Sequence, residues 1–358
     1  MTYPLLQVES LRTYITLDEG TIRAVNGISF VLERGETLAL VGESGAGKSV
    51  VAQSILRILP DNAWIESGRI LFSPNGDPPV DLAQLPADGK QIRAIQGNAI
   101  SMVFQEPMTS LSPVHTIGDQ IGETVRLHRG ASRAAAHTAA IEALKAVGFP
   151  DPEHKVDAYP FELSGGLRQR AMIAMALACR PALVIADEPT TALDVTIQIQ
   201  ILDLLLDLQR DHGMGLLLIA HDPGVVAYMA DRVAVMYCGK FMEMGPLATL
   251  YDNPQHPYLQ GLLRSTPRFE RQEGKRLETI PGAMPNPFSP IQGCPFLSRC
   301  PEGERELCGH AAPRLQPLVS PSHLVACFKR GSDAEPSPSD ETEKRQAAAS
   351  REKISGRA

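Results

Sequence analysis

Gly42-Glu43-Ser44-Gly45-Ala46-Gly47-Lys48-Ser49 has the residue types and the spacing to hold a polyphosphate: a glycine, four residues, then Gly-Lys-Ser. The glycines let successive backbone N–H groups converge on one point, at the positive end of the helix that follows. Lys48 can then reach the β- and γ-phosphates, and the Ser49 hydroxyl can ligate Mg²⁺. A Gly-rich turn with a chance Lys-Ser is the bland reading, and the setting argues against it. The apolar run Leu38-Ala39-Leu40-Val41 leads in, and the helix-like Val50-Val51-Ala52-Gln53-Ser54-Ile55-Leu56 leads out. Strand, glycine loop and helix in that order predict a nucleoside triphosphate site. Its binding residues are Gly42, Ser44, Gly45, Gly47, Lys48 and Ser49.

Two other stretches carry chemistry. Leu183-Val184-Ile185-Ala186-Asp187-Glu188 reads as a buried strand ending in two carboxylates. Ligands of parallel α/β sheets sit at the carboxyl ends of strands. Asp187 is placed to hold Mg²⁺, directly or through water, and Glu188 to polarise an attacking water. Leu163-Ser164-Gly165-Gly166-Leu167-Arg168-Gln169-Arg170 is a second helix start suited to an anion, with Ser164 as its cap. Alone it reads as an ordinary helix start. Beside a phosphate loop it is a second phosphate site, and one nucleotide touches both most easily if two chains face each other.

These residues need elements to position them. Residues 5–41 read as short β segments, with a turn at Glu33-Arg34-Gly35, and the loop helix runs to about Leu59. Residues 61–100 are mixed, and Ile100-Ser101-Met102-Val103-Phe104 is a strand ending in Gln105. Apolar spacing and alanine content predict helices over 117–127 and 132–147, a helical insert at about 108–180 between strands of one sheet. The sheet resumes at Leu183-Val184-Ile185-Ala186 and Leu216-Leu217-Leu218-Ile219-Ala220, continuous apolar runs of the kind parallel strands need when both faces are covered. A crossover helix spans about 197–212, and a late hairpin turns at Cys238-Gly239.

The bulk numbers agree. A chain of 358 residues with 43% hydrophobic and 21% charged content is an ordinary globular composition, with room for a large α/β domain and an appendage. A net charge of −7 argues against nucleic acid as an obligate partner. Residues 1–10 carry neither a basic nor an apolar signal region, and the longest apolar run, 171–186, is broken by Arg180-Pro181. If the protein serves a membrane, it is expected to do so peripherally. From Gly331 onward large apolar residues almost vanish, so 331–358 is expected to be a disordered tail.

The motif order resembles the ATP-binding cassette ATPases: phosphate loop, strand with Gln105, Leu-Ser-Gly-Gly, Asp-Glu strand, Ala192-Leu193-Asp194, strand with His221. The resemblance covers about 5–250. It implies an α/β P-loop NTPase fold of the ABC nucleotide-binding type and a head-to-tail dimer holding ATP between one phosphate loop and the partner's Ser164-Gly165-Gly166. It implies Glu188, His221 and Gln105 as catalytic residues. Gln105 would sense the γ-phosphate or the attacking water, and would join Ser49 and Asp187 around Mg²⁺. His221 would hold the γ-phosphate, and Asp194 would form part of the dimer contact. The family places an aromatic residue over adenine where this chain has Ile15. Either the strand bulges and neighbouring Tyr14 stacks, or Ile15 gives an apolar contact alone.

Finer motifs resemble the ATP-binding subunits of oligopeptide/dipeptide importers. They are Phe104-Gln105-Glu106-Pro107-Met108-Thr109-Ser110-Leu111-Ser112-Pro113, Asn253-Pro254-Gln255-His256-Pro257-Tyr258, Ile280-Pro281-Gly282, Gly293-Cys294-Pro295-Phe296 and Arg299-Cys300-Pro301. The implied layout is an ATPase domain over 1–255, a C-terminal extension over 256–330 and the tail. The implied partners are a second, similar ATPase chain, two integral-membrane permease subunits and, indirectly, a periplasmic or lipoprotein solute-binding protein. The implied location is the cytoplasmic face of the inner membrane.

Of the six cysteines, Cys179 and Cys238 sit in apolar surroundings and read as core residues. Cys294, Cys300, Cys308 and Cys327 crowd one Pro-rich segment. In a cytosolic protein a metal explains them better than disulfides. They lack the paired Cys-x-x-Cys of structural zinc, which leaves an iron–sulfur cluster, zinc or no metal open. The importer resemblance implies a [4Fe–4S] cluster.

ATP hydrolysis driving peptide import is the leading expectation, with import of nickel or another small solute as the alternative. A soluble cassette ATPase acting on ribosomes or DNA is disfavoured, because the chain has one motif set, no long heptad run and an acidic balance. A regulatory iron–sulfur module with an inert ATPase is disfavoured because every hydrolysis motif is present.

Overall fold

The computed structural model describes residues 2–106, 110–191, 193–265, 279–318 and 320–335. Two long strands open the chain, β1 (Leu6–Leu17) and β2 (Gly20–Leu32), followed by β3 (Thr37–Val41). Then come α1 (Lys48–Leu56), β4 (Ala63–Phe72), β5 (Val80–Asp81), α2 (Lys90–Ile95) and β6 (Ile100–Val103). A helical stretch holds α3 (Ile117–Arg129), α4 (Arg133–Ala146), α5 (Pro152–Lys155) and α6 (Gly165–Leu177). Alternation resumes with β7 (Leu183–Asp187), α7 (Val195–His212), β8 (Gly215–Ala220), α8 (Pro223–Met229), β9 (Arg232–Tyr237) and β10 (Lys240–Pro246). After α9 (Leu247–Asp252) and α10 (Pro257–Arg264) come α11 (Arg305–Cys308) and four two-residue strands, β11 (Ala312–Pro313), β12 (Gln316–Pro317), β13 (Leu324–Val325) and β14 (Ala334–Glu335).

The main sheet runs β12-β13-β10-β9-β3-β8-β7-β6, with β9, β3, β8, β7 and β6 parallel. Its central strands separate two cores by side-chain alternation. Ala39, Val184, Ala186, Leu216 and Leu218 face a core completed by Ile117, Ile121, Leu144, Met172 and Leu205 from the helices. Leu38, Leu40, Leu183, Ile185, Leu217 and Ile219 face a second core with α1 and the antiparallel sheet β2-β1-β4-β5. Successive strand residues point to opposite faces, so a run that is apolar at every position is buried on both sides. Each fully buried leucine or isoleucine contributes roughly 1.5–3 kcal/mol relative to exposure, which holds the strand ends in place as a rigid platform.

Several expected boundaries shift. The short β segments of 5–41 fuse into two strands of 12 and 13 residues, joined through register shifts in the β1–β2 pairing. The loop helix ends at Leu56, capped by Arg57 in the left-handed region, rather than near Leu59. The mixed region hides β4, a ten-residue strand paired along β1. The insert helices fall as expected, with Thr116 and Ser132 as side-chain caps.

The C-terminal segment is continuous with the ATPase fold. Leu324 and Val325 pair with Met244 and Glu243 of β10, so β13 and then β12 extend the main sheet. Of the expected tail, 331–335 is paired: Ala334 and Glu335 bridge to Pro313 and Ala312. Residues 336–358 lie outside the described residues. Among the described residues, no helix is long and apolar enough to cross a membrane.

Candidate active site

The phosphate loop joins β3 to α1, and two of its glycines, Gly42 and Gly47, are required by close approach. A Cβ on Gly42 would lie 2.2 Å from the Met236 carbonyl oxygen, and one on Gly47 (φ 105°) 2.1 Å from that of Ala24. No L side chain other than glycine fits there. Lys48 is 6% exposed, and its Nζ donates to the carbonyl oxygens of Gly42 (2.8 Å) and Glu43 (3.1 Å). Burial lowers its pKa, against the opposing pull of Glu188, Asp187 and Glu43. Phosphate oxygens would be stronger partners for this ammonium than two neutral carbonyls.

Asp187 ends β7, buried, hydrogen-bonded to Ser49. Burial raises its pKa, the Ser49 hydrogen bond and Lys48 lower it, and the neighbouring Glu188 adds to the rise. An oxygen-rich pair of this kind, one hydroxyl and one carboxylate beside a phosphate loop, fits Mg²⁺, a hard cation that prefers oxygen and keeps several waters.

Glu188 sits one residue beyond, with φ 49°, a left-handed conformation that costs a non-glycine residue roughly 1–3 kcal/mol. Its backbone N–H donates to Ile219 at 2.9 Å and fixes that turn against β8. The carboxylate gathers three side chains. Gln105 Nε2 donates to Oε2 at 2.9 Å, Thr191 Oγ1 donates to the same oxygen at 3.0 Å, and His221 Nδ1 lies 3.0 Å from Oε1. The ends of β6, β7 and β8 therefore meet at one acid. Thr191 was missed from sequence. Its signal was available: it stands three residues after Glu188 in a Pro-Thr-Thr turn, within reach of a carboxylate that turns back.

Ser164 caps α6 and accepts from Leu167 N–H at 3.4 Å, and Asp194 caps α7 and accepts from Ile197 N–H at 3.0 Å. The two helix starts touch: a Cβ on Gly166 would lie 2.9 Å from Ile197 Cγ2. Ser164, Gly165 and Asp194 are exposed. Behind this edge, buried Gln169 donates to the Pro189 carbonyl at 2.5 Å and ties α6 to the turn that follows Glu188. Ala192 lies outside the described residues, as do Pro107, Met108 and Thr109.

Tyr14 lines a cavity of about 470 Å³ together with Gly45, Arg12, Asn26, Lys240 and Phe288. The β1–β2 register shifts between Thr13 and Ile15, so the strand is irregular at Tyr14, and Trp64 meets its ring edge-on at 6.0 Å.

Cys294, Cys300, Cys308 and Cys327 are free thiols around one small pocket that His256 also lines. Burial pushes Cys294 up to about 12 and raises Cys300 and Cys327, with neighbouring thiols adding to the rise. Among the described residues, no group of three or more His, Cys, Asp or Glu could hold a metal ion. Of the two other cysteines, Cys179 is buried as expected, whereas Cys238 is only partly buried and sits in the hairpin turn with φ 46°.

Residues 25–191 match the ABC transporter family, and residues 242–308 match the oligopeptide/dipeptide transporter C-terminal region. A putative peptide import ATP-binding protein of Brucella abortus (strain 2308) is 50% identical over 91% of this chain and 97% of its own length. The dipeptide transport ATP-binding protein DppD of Bacillus subtilis (strain 168) is 48% identical over 92% of this chain and 96% of its own. The oligopeptide transport ATP-binding protein OppD of Salmonella typhimurium is 45% identical over 91% and 93%. Among solved structures, a dimeric post-hydrolysis state of the ATP-binding cassette MJ0796 bound to ADP and Pi superposes with a TM-score of 0.59 at 25% identity, covering 68% of this chain and 98% of that one. The chain belongs to the ABC transporter family, as an ATP-binding protein of its peptide-import branch.

Proposed function

We propose that this chain hydrolyses ATP to energise import of dipeptides or oligopeptides by an ABC transporter. The convergence of Gln105, Thr191 and His221 on Glu188, beside the Lys48 loop, carries the reading. Relatives named for peptide, dipeptide and oligopeptide transport along nine-tenths of the chain support the solute class.

In this reading the loop N–H groups and Lys48 bind the phosphates, and Tyr14 packs on the base. Ser49 and Gln105 would hold Mg²⁺, with Asp187 directly or through water, and the ion would neutralise charge on the transferring phosphoryl group. Glu188 orients and deprotonates the attacking water. Gln105 and His221 hold that carboxylate in position, and His221 also reaches toward the γ-phosphate. Ser164, Gly165 and Gly166 would close the nucleotide of a second, similar ATPase chain, with Asp194 at the seam. Two integral-membrane permease subunits would seat on the helical stretch at the cytoplasmic face, with a solute-binding protein acting on their far side.

We also read 1–255 as the ATPase domain, with α3–α6 as its helical subdomain, and 256–330 as an importer-specific extension. The cysteine pocket is read as a [4Fe–4S] site. Four cysteines lining one pocket supply the ligand number that such a cluster needs.

The test is uptake of labelled peptide by vesicles holding the chain with its co-purified permeases and binding protein. ATP-dependent uptake is expected, and Glu188→Gln should abolish it while nucleotide binding persists. Uptake at the unmutated rate in that variant rejects the assignment.

A further inference from the structure

The cysteine-bearing extension reaches the phosphate loop through one buried arginine. Arg299 lies on the short 3₁₀ turn Leu297–Arg299, which is anchored at both ends by cysteines: Leu297 N–H donates to the Cys294 carbonyl at 3.1 Å, and Cys300 N–H to that of Leu297 at 3.3 Å. The Arg299 side chain is 5% exposed. Its guanidinium grips the Glu43 carboxylate with both terminal nitrogens, at 2.6 and 3.0 Å. The remaining donors go to Tyr237 Oη and to the carbonyls of Ile280 and Pro281. Glu43 is the second residue of the phosphate loop, and its own carbonyl accepts from Lys48 Nζ. Its backbone N–H donates to Tyr258 Oη at 2.9 Å. Tyr258, Tyr237 and Phe296 pack ring to ring between the loop and Cys294, with centroids 4.7–5.4 Å apart.

From this geometry we infer that Arg299 is a positioning residue for nucleotide binding, and that through Glu43 it couples the four-thiol pocket to the phosphate loop. The inference rests on the nucleotide site proposed above. The physical reason is that the loop binds phosphate with backbone N–H groups, whose directions are set by the loop's path. A bidentate Arg–carboxylate pair with a nearly dry guanidinium fixes that path at Glu43, one residue from Gly42 and five from Lys48. The pair is held from the far side by the Leu297–Arg299 turn, which hydrogen-bonds to the backbone of Cys294 and Cys300. A displacement of those cysteines, for example by substitution or oxidation of a thiol, would be passed to Arg299 through this turn. Linkage makes the effect reciprocal: occupancy of the loop changes the stability of the thiol site by the same factor.

Calorimetric titration of the full-length chain with MgADP tests this without hydrolysis. Arg299→Gln and Glu43→Gln should each weaken MgADP by about tenfold, the middle of the range for directly paired side chains, and the double variant should be little weaker than either single one. Arg299→Lys, which keeps the charge and loses the fork, should recover part of the affinity. Cys300→Ser should shift the MgADP affinity about threefold when Arg299 is present, and should have no effect in the Glu43→Gln background. A merely structural arginine would lower the melting temperature and leave these couplings at zero. Unchanged affinity in Glu43→Gln, multiplying effects in the double variant, or an equal Cys300→Ser shift in both backgrounds overturns the inference. The Glu43 arm stands alone if Arg299→Gln fails to fold. An unmutated chain that binds no MgADP would instead sink the nucleotide reading itself.

Discussion

The acid centre at Glu188 and the helix-start edge at Ser164 are built in opposite ways. At the first, two strand ends and a turn supply Gln105, His221 and Thr191 to the carboxylate at the end of a third strand, and each contact is made within the chain. At the second, the caps of α6 and α7 satisfy their own helices, and Ser164, Gly165 and Asp194 face outward. The difference teaches that one cluster is closed by contacts within the chain, while the other leaves its helix start open to solvent. A helix N-terminus aimed outward has free N–H groups and a favourable field for an anion. The phosphate loop that would supply the anion lies elsewhere on the same chain, which fits a facing copy or a similar chain as the complement.

The comparison can be broken in several places. The largest effect is expected for Glu188→Gln, with ATP turnover in the assembled complex falling on the order of a thousandfold while ATP affinity stays within about twofold. Equal losses in both quantities would mean that Glu188 binds rather than catalyses. Lys48→Ala should lower ATP affinity on the order of a hundredfold, because it removes a desolvated cation from its phosphate. If titration finds affinity unchanged, the loop is not the nucleotide site. Gly165→Asp places a negative charge at the open edge. Nucleotide binding by the isolated chain should then persist, whereas ATP-dependent association, followed by light scattering, should disappear. Loss of binding in the isolated chain would show that the edge belongs to the same-chain site. Gln169→Leu cuts the tie between α6 and Pro189 and leaves a buried carbonyl unpaired, at a stability cost of about 1–3 kcal/mol in a denaturant titration. The smallest effect is expected for Tyr14→Ala, a roughly threefold to tenfold weaker ATP affinity from the lost stacking. Unchanged affinity in that variant would move the base contact to Ile15.

Much of the fold could be read from residue order. Leu183-Val184-Ile185-Ala186 and Leu216-Leu217-Leu218-Ile219-Ala220 are apolar at every position, the pattern of strands covered on both faces, and both are strands of the main sheet. The two insert helices were legible from apolar spacing and alanine content over 117–127 and 132–147, whereas their caps, Thr116 and Ser132, came from the structure. The β4 strand was not legible. Ala63-Trp64-Ile65-Glu66-Ser67-Gly68-Arg69 has no clean alternation, and its pairing is set by contact with β1 through register shifts that local sequence does not encode. Arg299 was likewise unreadable as a partner of Glu43. The two lie 256 positions apart, and nothing in either neighbourhood specifies the other.

Sequence alone placed the residue types: the Gly-rich Lys-Ser loop after a strand, the strand that ends in two acids, the Ser-Gly-Gly helix start and the four clustered cysteines. Those properties depend on side-chain type and on spacings of a few residues, which local backbone geometry converts directly into position. The tertiary structure decided which of them meet. It brought Gln105, Thr191 and His221 onto Glu188, left Ser164 facing outward, added β13 to the edge of β10, and locked Arg299 onto the phosphate loop. Contacts between distant segments follow from how the sheet orders its strands and how its two faces pack, and that is a property of the whole chain.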